Sequence, residues 1–194
     1  MNNDIKNDLF KEKYEEYLDN YVNNLIIKDP HIISNNPILE TEYNLDGSKK
    51  DIYSLSSERD IKKMQINSDK NELDYKFSQK IIDKKEYENK INDINLKNNN
   101  LDILYDDLIF KIINNKTIDE IKTSILKYNL NNVDLDRLAR SIISVCDNKI
   151  EEFRNNNKMF MIDKLSYWNY KYDKISKGIS KAREVEVFIK GIIK

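Results

Sequence analysis

Side chains that could do covalent or acid–base chemistry are scarce, because the chain has one histidine and one cysteine. His31 follows Pro30, and no Gly-rich or strained turn nearby offers the positioned partner that a catalytic base needs. We therefore expect His31 to be an exposed loop residue. Cys146 falls within an apolar stripe at helical spacing, where a free cysteine behaves as a small buried hydrophobe. One Cys and one His cannot form a zinc site.

Pairs of carboxylates, which could serve acid–base or metal chemistry, are plentiful, and three of them stand out. They are Asp106 with Asp107, Asp134 with Asp136, and Glu151 with Glu152. Adjacent residues on a helix point about 100° apart, so their carboxylates cannot share one ligand as a glycosidase or a two-metal site requires. We predict that these acids are solvated and that Asp106→Ala changes stability little.

Two acidic stretches resemble calcium-binding loops but depart from the pattern at decisive positions. The stretch that begins at Asn132 has Arg137 in place of the invariant glycine, and the one that begins at Glu42 ends on Tyr53 instead of a bidentate glutamate. Three scattered glycines cannot build a phosphate-cradling loop either. The sequence therefore predicts a protein that is not an enzyme and uses neither metal nor cofactor.

The composition indicates that helices position these side chains. Of 194 residues only 3 are Gly and 2 are Pro, whereas 35% are charged and 39% hydrophobic, so tight turns are few. No run of about 18 apolar residues occurs, which argues against a transmembrane helix, and the first residues do not resemble a signal peptide. We expect a soluble protein in the cytoplasm, or in a virion if a phage encodes it.

The amino-acid composition is biased in a way that folding does not require. The chain has 29 Ile, 28 Lys and 27 Asn but only 2 Ala and 5 Arg. The abundant residues have A/T-rich codons and the rare ones have G/C-rich codons, which indicates an A/T-rich genome. Counts of lysine and asparagine are therefore weak evidence of function.

Apolar residues at steps of three and four predict a first helix over residues 4–28 with a broad apolar face. Pro30 ends this helix. Beyond it, apolar and polar residues alternate up to Asp46-Gly47, a dipeptide suited to a two-residue hairpin turn. We predict a short β-hairpin within residues 39–53.

The middle of the chain contains neither Pro nor Gly, so helix boundaries are read from capping patterns. Asp83 and Thr117 are each followed three residues later by Glu, as in the capping box that begins a helix. Asparagines at 98–100 and 129–132 interrupt the apolar period. The segment 101–114 is apolar on most sides and should be the buried central helix. The predicted helices are 57–80, 84–97, 101–114, 118–128 and 134–156.

The last segment, residues 158–194, carries the clearest periodic signal. Apolar or amphipathic residues recur at alternating steps of four and three, which is the spacing of a coiled-coil seam. Gly178 lies off this seam but could kink the helix. We predict that the seam binds the chain's own first helix or a neighbouring protein subunit. Its predicted interaction residues are Met161, Leu165, Trp168, Tyr172, Ile175 and Ile179.

Charge is separated along the chain although the net charge is only -1. Residues 1–60 carry 7 basic and 13 acidic side chains, and residues 158–194 carry 9 basic and 4 acidic ones. The opposite charges of the two ends favour a head-to-tail contact between two copies of the chain. Cations interleaved with aromatic rings also suit nucleic-acid contact. The residues for that contact would be Lys164, Lys171, Lys174, Lys177, Lys181 and Arg183.

The sequence thus predicts an elongated, mostly all-α protein of six or seven helices, with a short hairpin and a coiled-coil-like C-terminal helix. Three parts are expected: an N-terminal helix and hairpin arm over 1–56, a helical core over 57–157, and an amphipathic helix over 158–194. The best-fitting function is a non-enzymatic structural or assembly subunit that binds other protein subunits, such as a phage virion or connector component. The alternative is a nucleic-acid-binding accessory in replication, partition or regulation. Neither interpretation involves a membrane.

Overall fold

The computed structural model describes the backbone of residues 3–29, 31–156 and 165–193, and in these ranges the chain forms eight α-helices and no β-sheet. This result confirms the mostly all-α class. The helices are α1 (Asn3–Lys28), α2 (His31–Ser34), α3 (Pro37–Glu42), α4 (Ile52–Ser78), α5 (Lys84–Asn115), α6 (Ile118–Leu126), α7 (Asn132–Asn156) and α8 (Leu165–Ile192).

The predicted β-hairpin is wrong, because much of its first strand is helical. Pro37 begins α3, and the side-chain oxygen of Asn36 accepts hydrogen bonds from two backbone N–H groups of the first turn. An asparagine cap followed by proline favours a helix start over a strand. The turn at Gly47 does form, with a φ of 83°. Across it, Tyr43 and Lys49 make a single antiparallel bridge.

The predicted break at residues 98–100 is also wrong, because α5 continues through them as one helix. Asparagine costs about 0.7 kcal/mol or less relative to alanine in a helix interior, and side-chain contacts along α4 offset that cost. The two helices are antiparallel and joined by a turn in which Lys80 has a left-handed φ of 56°. The helix starts read from capping patterns are confirmed, since Asp83 caps α5 and Thr117 caps α6 with a complete capping box. The predicted start at residue 57 is wrong, because α4 begins at Ile52.

A single main core is built from α4 to α8. Tyr105, Ile109 and Ile113 of α5 are fully buried, which agrees with a central position of this segment, but Ile103 and Leu104 are exposed, so the segment is not buried on every side. Helix α1 instead belongs to a smaller separate cluster with α2 and the bridge region, formed by Ile26, Ile33 and Tyr43. Residues from the other core helices surround the α5 side chains. They include Leu55, Ile121, Leu138, Ile142, Val185 and Ile189.

A buried ion pair crosses this core, and it corrects the prediction that Asp106 is solvated. The Asp106 carboxylate lies 2.8 Å from Nη1 of Arg59, and both side chains are buried. Asn148 donates a hydrogen bond to the carboxylate at 2.7 Å, and Arg59 donates one to Ser141. Burial raises the pKa of Asp106, although the Asn148 amide and the Arg59 charge oppose that shift. This network of hydrogen bonds connects α4, α5 and α7.

Helix α8 runs through Gly178 without a break and lies close to α5 there. A Cβ atom at residue 178 would lie 2.6 Å from a ring carbon of Phe110 and 2.8 Å from Oδ1 of Asn114. These distances are shorter than van der Waals contact, so the absence of a side chain lets the two helices approach.

Asp106→Ala should lower the free energy of unfolding by about 3–5 kcal/mol, because it leaves the Arg59 guanidinium buried without its partner. Asp107→Ala is the matched control, since it removes a neighbouring carboxylate that is 57% exposed. Loss of this carboxylate should lower the free energy of unfolding by no more than about 1 kcal/mol. Urea unfolding of both variants measures the difference, and equal small effects would contradict a buried pair.

Gly178→Ala should destabilise the protein even though alanine favours a helix interior by about 1 kcal/mol. The added methyl group has to displace Phe110, and overpacking of this kind costs about 1–3 kcal/mol. Gly191→Ala is the control, because a Cβ there meets no atom within 4 Å. Thermal melts should show a lower Tm for the first variant only. A Gly178→Ala protein as stable as the control would refute the close approach.

Candidate interaction surfaces

The side chains considered for catalysis lie apart from one another. His31 is exposed at the start of α2, so it is on the surface but in a helix and not in a loop. Cys146 is buried in the main core, as its apolar stripe predicts. Burial raises the pKa of its thiol to about 12. At neutral pH the sulfur is therefore an unreactive thiol and not a nucleophilic thiolate.

The predicted C-terminal seam is described only in part. Met161 lies outside the described residues, and Leu165 and Trp168 are described by their backbone in α8 alone. Ile175 and Ile179 are half-buried against the main core, whereas Tyr172 is 62% exposed. Further along the same helix, Ala182 and Ile189 are fully buried. The later part of the seam thus packs within the chain, on α5, α6 and α7.

A groove between α7 and α8 borders the exposed part of the seam. Its volume is about 520 Å³. Apolar side chains make up much of its lining, with two arginines beside them, and the Tyr172 and Phe153 rings lie with their centroids 6.0 Å apart. The groove is lined in part by Ile150, Phe153, Arg154, Tyr172, Ile175, Ile179 and Arg183.

Basic side chains of α8 form ion pairs with the acidic side of α1. Lys171 pairs with Asp8 at 2.5 Å, and Lys174 pairs with Glu12. Tyr170 also donates a hydrogen bond to Glu12, at 3.2 Å. The opposite charges at the two ends of the chain therefore meet within one molecule.

The remaining basic residues proposed for nucleic-acid contact have varied surroundings. Lys177 pairs with Asp173 of its own helix at 2.7 Å. Lys181 donates hydrogen bonds to the backbone carbonyls of Asn114 and Lys116, at 2.8 and 3.1 Å, and so caps the end of α5. Arg183 is exposed beside the groove, and Lys164 lies outside the described residues. Lys181 thus has a structural role that sequence reasoning missed.

A third acidic residue extends the docked side of α1 towards its C-terminal half. Asp19 pairs with Lys111 at 2.8 Å and with Lys49 at 3.4 Å. Burial raises the pKa of Asp19, but the hydrogen bond from Lys111 and the charge of Lys49 outweigh that effect, and the pKa is lowered. The carboxylate is therefore favoured in its charged, paired form. Among the side chains of α1 that the structure describes, Ile26 is buried, and Val22 packs against the same small cluster.

The opposite side of α1 presents four aromatic rings to solvent. Their side chains are between 54% and 73% exposed. At 100° per residue they lie roughly opposite the docked acidic side. We call this row the aromatic stripe, and it consists of Phe10, Tyr14, Tyr17 and Tyr21.

Sequence reasoning missed this stripe because it assigned every apolar residue of the first helix to one broad face. Asp8, Glu12 and Asp19 recur at the helical period on the other side. Two segregated faces, one acidic and one aromatic, could have been recognised from that spacing.

Comparisons with family models, with curated proteins and with solved structures found no match to this chain. Among the described residues, none of the helices is long and apolar enough to cross a membrane. The same residues contain no group of three or more His, Cys, Asp or Glu side chains that could hold a metal ion. The case for a function therefore rests on the surfaces of α1 and α8.

High salt should loosen the N-terminal half of α1. Its ion pairs are partly exposed to solvent, where such pairs contribute roughly 0–1 kcal/mol each, and the Debye length falls to about 3 Å at 1 M salt. If the free energy of local opening falls by about 1.4 kcal/mol, the amide exchange rate of residues 8–18 rises about tenfold. The amides of residues 105–113, in the main core, should stay protected.

Hydrogen exchange followed by mass spectrometry at low and high salt measures this effect. Lys171→Gln combined with Lys174→Gln should reproduce it at low salt, and Lys84→Gln, which removes an i,i+4 pair elsewhere, should not. If the amide exchange rate in α1 is the same at low and high salt, the ion pairs do not keep this helix docked on the rest of the chain.

Proposed function

We propose that this chain is a non-enzymatic assembly subunit that binds protein through the aromatic stripe of α1. The observation that carries the proposal is the orientation of this helix, which docks on its own chain by carboxylates and turns its rings outward. A helix that folded only for its own stability would bury the rings and expose the acids.

The size of the exposed surface supports this function. At about 200 Å² per aromatic side chain, the four rings leave about 500 Å² in the solvent. A contiguous apolar patch of this size on a single chain commonly marks an interaction site. Burying it at about 25 cal/mol per Å² would contribute on the order of 10 kcal/mol before the costs of association.

The predicted seam of α8 supplies a second candidate surface. Tyr172 is exposed at the edge of a groove with apolar walls. Two arginines beside it suit a partner that combines apolar and acidic side chains. A narrower form of the proposal is a phage virion or connector component, and its support is the bias of the composition towards residues with A/T-rich codons.

The alternative function, nucleic-acid binding through the basic side of α8, receives less support. Lys171 and Lys174 are engaged by acids of α1, and Lys181 caps α5. Each of these contacts reduces the charge or the donors that the helix offers to phosphate. Retention of DNA that falls steeply as salt rises would nevertheless favour this alternative.

The mass of the native particle tests the assembly function. The tagged chain, isolated from its own host without denaturation, should be part of a particle heavier than the 23.2 kDa monomer. Replacing Phe10, Tyr14 and Tyr17 by serine should release the monomer, because these rings supply the buried area.

The matched control replaces Ile61, Met64 and Tyr75 of α4 by serine, since these side chains are 62–71% exposed. It should leave the particle intact, and circular dichroism should show all three proteins to be equally helical. A wild-type chain that is isolated as a monomer, or a stripe variant with unchanged particle mass, would contradict the proposal.

A further inference from the structure

The four rings of the aromatic stripe are symmetric about one point on α1. Phe10 and Tyr21 are equally far from the midpoint between Glu15 and Glu16, and so are Tyr14 and Tyr17. A twofold axis through that midpoint would place each ring level with a ring of a second, antiparallel helix. This is the self-complementary pattern of a contact between two identical subunits.

We propose that a second copy of this chain covers the aromatic stripe, with the two α1 helices packed antiparallel. In this arrangement Phe10 of one copy lies level with Tyr21 of the other, and Tyr14 lies level with Tyr17. The inference rests on the proposed function, since it names the partner that the stripe binds.

Charge along the stripe favours the antiparallel direction. Lys28 continues the row of rings, seven residues beyond Tyr21. A parallel pair would bring the two Lys28 ammonium groups together within the contact, which costs free energy. In the antiparallel pair Lys28 lies level with the first helical residue, Asn3, so the like charges are separated by the length of the helix.

The edges of the stripe fit a second copy as well. On one edge, Lys6 lies within one residue, about 1.5 Å, of the level of Asn24 of the other copy, so a lysine meets a polar amide and not another lysine. On the other edge, Leu18 and Leu25 are 39% and 37% exposed and widen the apolar surface. The stripe faces away from the docked side of α1, which leaves room for a second molecule.

The area available is that of a small specific interface. Two copies of the stripe together bury about 1,000 Å² from the rings alone, which reaches the lower limit expected of a specific interface. The half-exposed leucines add to this area. Aromatic pairs also contribute about 0.5–1.5 kcal/mol beyond their burial.

Light scattering of the purified full-length chain tests the proposal. At micromolar concentration the mass should be twice 23.2 kDa. Tyr14→Glu combined with Tyr17→Glu should give a monomer with unchanged helical content, because charge cannot be buried between the rings. Tyr75→Glu places the same charge at a 62% exposed tyrosine of α4 and should leave the dimer intact.

Disulfide formation tests the direction of the helices. Cys146 is buried and its thiol pKa is about 12, so an introduced cysteine is the reactive one. In the antiparallel pair two cysteines at position 10 lie about 16 Å apart along the axis, too far for a disulfide, which needs Cα atoms within about 7 Å. A mixture of Phe10→Cys and Tyr21→Cys chains should therefore cross-link, and neither variant should do so alone.

Four results would overturn the inference. They are a monomeric wild-type chain, a dimer that survives the Tyr14→Glu and Tyr17→Glu changes, rapid cross-linking of Phe10→Cys alone, and a monomer whose stripe retains single-stranded DNA. A monomeric purified chain whose native particle still depends on the stripe would refute the second copy but leave the proposed assembly function standing. The two proposals can thus fail separately.

Discussion

The buried ion pair between Arg59 and Asp106 is the constraint on which the arrangement of the core depends. It lies where α4, α5 and α7 meet, and Ser141 and Asn148 complete its hydrogen bonds. Burial raises the pKa of Asp106, and the Asn148 amide and the Arg59 charge oppose that shift. Buried pairs in general add little net stability, but removal of one partner is costly, so the arrangement of the three helices depends on both side chains being present.

Outside that core, ion pairs connect the N-terminal helix α1 with the C-terminal helix α8. Three acids of α1 meet lysines of α8 and of α5, so part of the separation of charge along the sequence is compensated within one molecule. Ion pairs of this kind are weak individually, and among the described side chains of α1 the buried apolar one is Ile26, in the small cluster near the C-terminal end of the helix. The N-terminal half of α1 is consequently positioned largely by contacts between charged side chains, which leaves its rings available to another molecule.

The contacts of the basic side chains of α8 bear on both functional hypotheses, protein binding and nucleic-acid binding. Cations of α8 that face α1 stabilise the monomer, and Lys181 satisfies carbonyl groups at the end of α5. Gly178 brings that end close to α8. These contacts engage three basic side chains of the C-terminal helix within the chain, which is why the proposal places the partner surface on α1.

Local signals in the sequence determined the helical class, the helix starts after Asp83 and Thr117, and the buried position of Ile109 and Ile113, because caps and periodicity depend only on neighbours along the chain. The tertiary structure alone decided that residues 98–100 stay helical, that Asp106 is buried, and which side of α1 faces solvent. Each of these outcomes depends on residues distant in sequence. For α1, the aromatic and acidic sides were both visible as patterns, but only the folded positions of Lys111 and Lys171 select the acidic side for docking and leave the aromatic stripe exposed.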